Sequence, residues 1–280
     1  MKKTKISLVL VFSILLSACS SSFMYNNLDW LLYWYVDDYV ELTSEQKSLL
    51  DERIDQWHAW HRSVELKIYQ TQLNILRSQL QKGPLDQKQW LNVFDEVQQN
   101  VQRLRDKISP ELAELAPQLS PSQVDGLLSA WQKKREERQS RVMAESKEER
   151  LADRQQDLTE QIEDSIGKLT PEQIQIVQRY VPQFMSTFEL RMAYQARLQT
   201  MVKERFADRK TLDFSQQLSI IMTNPEQYKT PQHKAASAHN KMLYAQMLAE
   251  LNRSLTEKQQ QSLDDELQDW LQFLAGLIRA

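Results

Sequence analysis

Four times along this chain a leucine precedes a threonine or serine, and three residues after that hydroxyl stands a glutamine. The segments are Leu42-Thr43-Ser44-Glu45-Gln46, Leu119-Ser120-Pro121-Ser122-Gln123, Leu169-Thr170-Pro171-Glu172-Gln173 and Leu255-Thr256-Glu257-Lys258-Gln259. Each is written to start an α-helix. The hydroxyl accepts a hydrogen bond from the backbone N–H three residues on, while the glutamine there reaches back to the N–H of the capping residue. Pro121 and Pro171 fall at the first helical position, where a missing N–H costs nothing, and Glu45 and Glu172 lie in the first turn, where the macrodipole favours anions. Leu119 with Val124, and Leu169 with Ile174, add hydrophobic staples. With only four glycines in 280 residues and long runs of good helix formers, the chain is committed to helices and nearly devoid of strand signals.

Behind the caps run amphipathic stretches. Leu50, Ile54, Trp57, His61, Val64 and Ile68 keep alternating spacings of three and four, which predicts one buried seam drifting on to Leu73, Leu76 and Leu80. Gly83-Pro84 ends that helix, and Leu85-Asp86 opens another through Trp90, Phe94 and Val97. Pro110 and Pro117 predict further breaks. From Pro121 to about Ile166 there is no proline, and Lys133–Arg154 is dense in charges of both signs, which predicts one long solvated helix. A hydrophobic fraction of 41% suits long helices that bury one stripe each. The expected fold class is all-α, an elongated bundle.

The second half follows the first at a period near 127 residues. Leu42 maps to Leu169 and Leu85-Asp86 to Leu212-Asp213. Leu49, Leu50, Ile54 and Trp57 are answered by Ile176, Val177, Val181 and Phe184, and His61 by Phe188. Leu119 and Leu255 are 136 apart, so the register slips between Leu218 and Leu255, in the stretch from Asn224-Pro225 to Pro231. Tandem duplication of a helical-hairpin unit is one reading, and chance matching of heptad-like helices is the other. The expected organisation is residues 1–18 as a signal peptide, 19–41 as an aromatic segment, 42–168 as a first helical repeat and 169–280 as a second, in one continuous helical domain.

The signal reading rests on Lys2, Lys3 and Lys5, an apolar run from Ile6 to Leu16, and Leu16-Ser17-Ala18-Cys19. The run is too short to span the hydrocarbon layer, which takes about 20 residues, so cleavage is expected. Removing residues 1–18 takes away three lysines and no acid, which carries the formal charge from −3 to −6. Such a surface does not attract nucleic acid. Leu16–Cys19 resembles the lipobox of bacterial lipoproteins, and that resemblance implies acylation of Cys19, the chain's sole cysteine, as residue one of the mature protein. An ordinary signal peptide followed by a free thiol is the alternative. Ser20, in place of the aspartate that retains lipoproteins at the inner membrane, implies the periplasmic face of the outer membrane.

Leu-Thr-x-x-Gln motifs in an exported helical chain resemble the Spy and CpxP family of periplasmic stress proteins. The resemblance implies a cradle that holds unfolded clients without ATP or restrains an envelope sensor. Family members usually carry two motifs, and this chain carries four. Tyr25-Asn26-Asn27-Leu28-Asp29-Trp30, Asp37-Asp38-Tyr39-Val40 and Trp57-His58-Ala59-Trp60-His61 resemble an uncharacterised family of Gram-negative lipoproteins.

Candidate sites are few. His58 and His61 with Glu65 could share a helix face and take a divalent metal, but His61 also continues the apolar stripe, and a structural zinc asks for four ligands. Trp30, Tyr33, Trp34, Tyr35 and Tyr39 form an aromatic segment that could lie in a membrane interface; Asp29, Asp37 and Asp38 argue instead for docking against the bundle. There is no phosphate loop, nucleophile elbow or zinc-protease motif, so no enzyme and no cofactor beyond the lipid is expected. The expected function is an outer-membrane-anchored chaperone or envelope-stress adaptor that binds other proteins. A scaffold lipoprotein of an envelope complex is the alternative, and a metal-binding sensor a minor one.

Overall fold

The computed structural model describes Tyr25 and residues 28–279; the signal segment and Cys19 lie outside them. Among the described residues the fold is all-α, with no strand. A short helix α1 (Leu28–Val36) leads to α2 (Ser44–Trp60), which passes through a π-turn, His61–Glu65, into α3 (Leu66–Lys82). Then come α4 (Gln87–Leu115), α5 (Pro121–Met143) and α6 (Lys147–Ile166). The second half holds α7 (Pro171–Tyr180), α8 (Phe188–Ala207), α9 (Phe214–Thr223), α10 (Pro231–Arg253) and α11 (Glu257–Arg279), with 3₁₀ turns at Val181–Gln183 and Pro225–Tyr228.

Helix α4 is the spine. It packs against α9, α10 and α2, while α11 packs along α3 and α6, α8 along α5, and α7 along α10. Three apolar clusters result. One joins Ile162 and Ile166 of α6 to Ile176, Val177 and Tyr180 of α7 and to Met247 and Leu251 of α10. A second joins Ala113 and Ala116 to Val124, Leu128, Phe206, Phe214 and Leu218, and the third sets Leu66 against Leu274 and Leu277. Gly83 and Gly167 end α3 and α6 with positive φ of 147° and 78°, a region closed to residues with a Cβ. After Gly83 the chain turns inward. Leu85 is 1% exposed and its N–H donates to Asn252 Oδ1 at 2.7 Å.

Several sequence expectations are corrected. Pro110 does not break the chain but sits inside α4. Ser109 and Ala113 on either side of it are buried, so tertiary packing overrides the loss of one ladder bond. The stretch from Pro121 to Ile166 is two helices, because Ser146 and Glu149 form a capping box of their own: Glu149 N–H donates to Ser146 Oγ at 3.1 Å and Ser146 N–H to Glu149 Oε2 at 2.7 Å. Val64 is exposed, and the inward positions beyond His61 are Glu65 and Leu66. The π-turn inserts one residue into the helical count and so advances the buried stripe by one position. Leu212 is fully exposed where Leu85 is buried, and the Asp213 side chain makes no cap bond, so that opening does not repeat the first.

Candidate functional site

The four Leu-(Thr/Ser)-x-x-Gln segments each begin a helix as capping boxes. Thr43, Ser120, Thr170 and Thr256 accept from the N–H of Gln46, Gln123, Gln173 and Gln259 at 3.2–3.3 Å. The same glutamines accept from the cap N–H groups at 2.8–3.0 Å. What the sequence did not reveal is that the boxes meet in pairs. Gln46 and Gln123 exchange amide hydrogen bonds at 3.0 and 2.6 Å, and Gln173 and Gln259 do the same at 2.8 and 2.9 Å.

The second hydrogen of each amide goes to one place in all four. It donates to the carbonyl of the residue just before the partner's leucine: Gln46 to Gln118 O, Gln123 to Glu41 O, Gln173 to Ser254 O and Gln259 to Lys168 O, at 2.7–3.0 Å. Each side-chain oxygen thus takes at least two donors, with the Thr256 hydroxyl a third at Gln259, and each nitrogen gives both its hydrogens. The positive ends of α2 and α5, and of α7 and α11, are brought together across these oxygens. The pairs differ in depth. Gln173 is 0% and Gln259 5% exposed, whereas Gln46 and Gln123 are only partly buried.

The second constellation surrounds the π-turn. Glu65 is wholly buried. Arg103 of α4 grips it with Nε at 2.9 Å and Nη2 at 3.0 Å from its two oxygens, and Asn100 accepts from the same guanidinium at 2.6 Å. Above and below, Trp57 donates to Glu111 at 2.9 Å and Gln72 exchanges amide bonds with Asn100. Together they form a polar ladder between the antiparallel α2–α3 rod and α4. His61 lies beside it, with Nδ1 3.0 Å from the Tyr25 hydroxyl and its ring edge-on to Tyr69. Burial pushes the His61 imidazole down to about 4, against the opposing pull of Glu65, and burial raises the Tyr69 phenol, with Glu65 adding to the shift.

His58, His61 and Glu65 are therefore neighbours along one helix, but the carboxylate is turned to Arg103. Among the described residues no group of three or more His, Asp, Glu or Cys side chains is placed to hold a metal ion. His233 starts α10, and His239 faces Gln183 O at 3.2 Å.

Tyr33 docks the aromatic segment on α2. The Tyr33 hydroxyl lies 2.9 Å from Lys47 O and 2.7 Å from Asp51 Oδ1, while Leu32, Trp34 and Tyr35 are exposed. No described helix is long and apolar enough to cross a membrane.

Fold and site together define a class: an all-α bundle whose helix starts are pinned in pairs by glutamine amides. The chain belongs to a family of unknown function, DUF6279, whose sequence model matches residues 38–234. That range holds the first three boxes and stops before the fourth. No curated protein and no solved structure matches the chain.

Proposed function

We propose that this protein is a lipoprotein on the periplasmic face of the outer membrane, anchored through acylated Cys19, that binds other proteins without nucleotide as a chaperone or envelope-stress adaptor. The observation that carries the reading is three exposed apolar side chains near the α5–α6 and α7–α8 connections. Met143 closes α5 with 69% exposure, and Leu151 and Met185 are 41% and 49% exposed. Their chain neighbours meet: Arg150 donates to Val142 O at 3.1 Å, and Arg154 lies 4.5 Å from the centroid of the Phe184 ring. Asn240 holds Met185 by both backbone groups at 2.8 Å. Flexible methionine side chains on a rigid frame suit partners of varied shape.

The two halves, residues 42–168 and 169–280, are proposed as a tandem duplication. Its support is that box one pairs with box two as box three pairs with box four, through the same four kinds of bond. The Leu-Thr-x-x-Gln resemblance to Spy and CpxP proteins points the same way. The scaffold reading draws on the mixed-charge surface of α5 and α6, on which Glu136, Glu148 and Arg150 are exposed.

The test is light scattering from a chemically unfolded protein mixed with residues 20–280 at equimolar ratio, without nucleotide. Aggregation should slow, and replacing Met143, Leu151 and Met185 by serine should abolish the effect. Unchanged aggregation across acidic and basic clients would move the assignment to the scaffold.

A further inference from the structure

The segment behind the anchor carries an exposed face of apolar and aromatic side chains, and two of its three acids, Asp37 and Asp38, are paired with lysines. On α1, Tyr33 turns inward, with Lys47 Nζ 5.5 Å from its ring centroid. Leu32, Trp34 and Tyr35 occupy the opposite arc, at 37%, 56% and 56% exposure. At 100° per residue these three span less than half a turn. The two aspartates that follow would repel an anionic bilayer if bare. Instead Asp37 pairs with Lys47 at 3.7 Å and Asp38 with Lys134 at 2.6 Å. Lys134 also sits 4.1 Å from the centroid of the Tyr39 ring, so basic groups and aromatic rings alternate along this edge.

Chain length fixes what lies nearby. Leu28 lies nine residues beyond Cys19, and a fully extended chain covers at most about 3.6 Å per residue, about 30 Å in all. Once Cys19 is acylated, α1 cannot leave the membrane surface by more than that reach. Contact is then an intramolecular step at high effective concentration, which a small aromatic face can satisfy without a lysine-rich helix. Tryptophan and tyrosine are the side chains best suited to the headgroup level, having an apolar body and a polar tip.

We propose that the Leu32, Trp34 and Tyr35 face of α1 rests in the interfacial layer of the bilayer that holds the acyl chains, and so fixes how the bundle is turned relative to the membrane. The proposal rests on acylation of Cys19. It makes the segment a second, non-covalent foot whose other side is fastened to the bundle by Tyr33, Lys47 and Lys134.

The experiment uses the acylated full-length protein and its Trp34→Phe variant. Both are reconstituted in phosphatidylethanolamine and phosphatidylglycerol vesicles containing a phospholipid brominated on its acyl chains. Trp34 should supply most of the bromolipid quenching, so the variant should lose it, and Trp34 should be shielded from aqueous iodide. Equal bromolipid quenching in the two proteins would overturn the seating, as would Trp34 open to iodide. Shielding from iodide without bromolipid quenching would also overturn it, because a protein surface, such as a second copy, would then be the cover. The mass of the N-terminal peptide is read separately. An unmodified Cys19 overturns the acylation itself, whatever Trp34 does, whereas an acylated chain with Trp34 in water overturns the seating alone.

Discussion

Replacing Gln173 by alanine removes four hydrogen bonds at once: two accepted, from Thr170 N–H and the Gln259 amide, and two donated, to Gln259 and Ser254 O. A hydrogen bond contributes about 1 kcal/mol net, and a buried polar atom left without a partner costs about 1–3 kcal/mol. Because Gln173 and Gln259 are almost wholly buried, water cannot take over the vacated positions cheaply, and the expected loss is about 4 kcal/mol. Gln46 makes the equivalent four bonds at a site water reaches, so Gln46→Ala should cost about 1 kcal/mol. The assay is urea unfolding followed by circular dichroism. It should include a double-mutant cycle on Gln173 and Gln259, for which contacting groups typically couple by about 0.5–3 kcal/mol. Gln173→Glu sharpens the test. A carboxylate can still cap Thr170 but cannot donate, and it would face two acceptor oxygens, so at neutral pH it should be at least as damaging as alanine and should recover as acid protonates it. A Gln46→Ala cost equal to that of Gln173→Ala, or a coupling of zero, would refute the reasoning.

Two further outcomes follow from the π-turn. Arg103→Ala strands the buried Glu65 charge and should cost about 3–5 kcal/mol, whereas Arg77→Ala, which breaks a solvent-accessible pair with Asp264, should cost far less; urea midpoints of the two variants compare them. For His61, burial holds the folded pKa near 4 against an ordinary 6.5, so the unfolded chain binds the proton first. Its contribution is complete above pH 6.5 and is lost as pH falls toward 4, and the stability of His61→Phe should therefore decline less over that window than that of the wild type.

Fold class was legible because capping boxes and three-four spacings are local signals, and local signals agree with the final packing wherever α2, α4, α7 and α11 begin. The misreadings share a cause in tertiary structure or in a masked local cue. Pro110 reads as a stop, yet α4 continues through it, with Ala113 in one apolar cluster with Phe214 and Leu218 of α9. Ser146 to Glu149 is as good a box as any of the four, but it lies within a charged run where Glu149 looks like one more solvated acid. No periodicity announces a π-turn in advance. Its residue sequence is unremarkable to a helical count, and only the burial of Glu65 in place of Val64 betrays the inserted position. The pairing of glutamines spans 77 and 86 residues, beyond any local pattern.

That pairing also accounts for the residue type at the end of each motif. A lone box accepts either an acid or an amide, as Glu149 opposite Ser146 and Gln89 opposite Asp86 both show, because capping asks only for an acceptor. Where two boxes meet, each side chain must accept from its own cap and also donate to its neighbour and to the neighbour's incoming carbonyl. Glutamate fails the second demand, and all four paired positions are glutamine. The hydroxyl and leucine of the motif follow from helix starting and packing alone, but the glutamine follows from the existence of a partner motif. A chain with four such segments therefore specifies two joints between helix starts, a constraint that bears on topology before any client or membrane contact is considered.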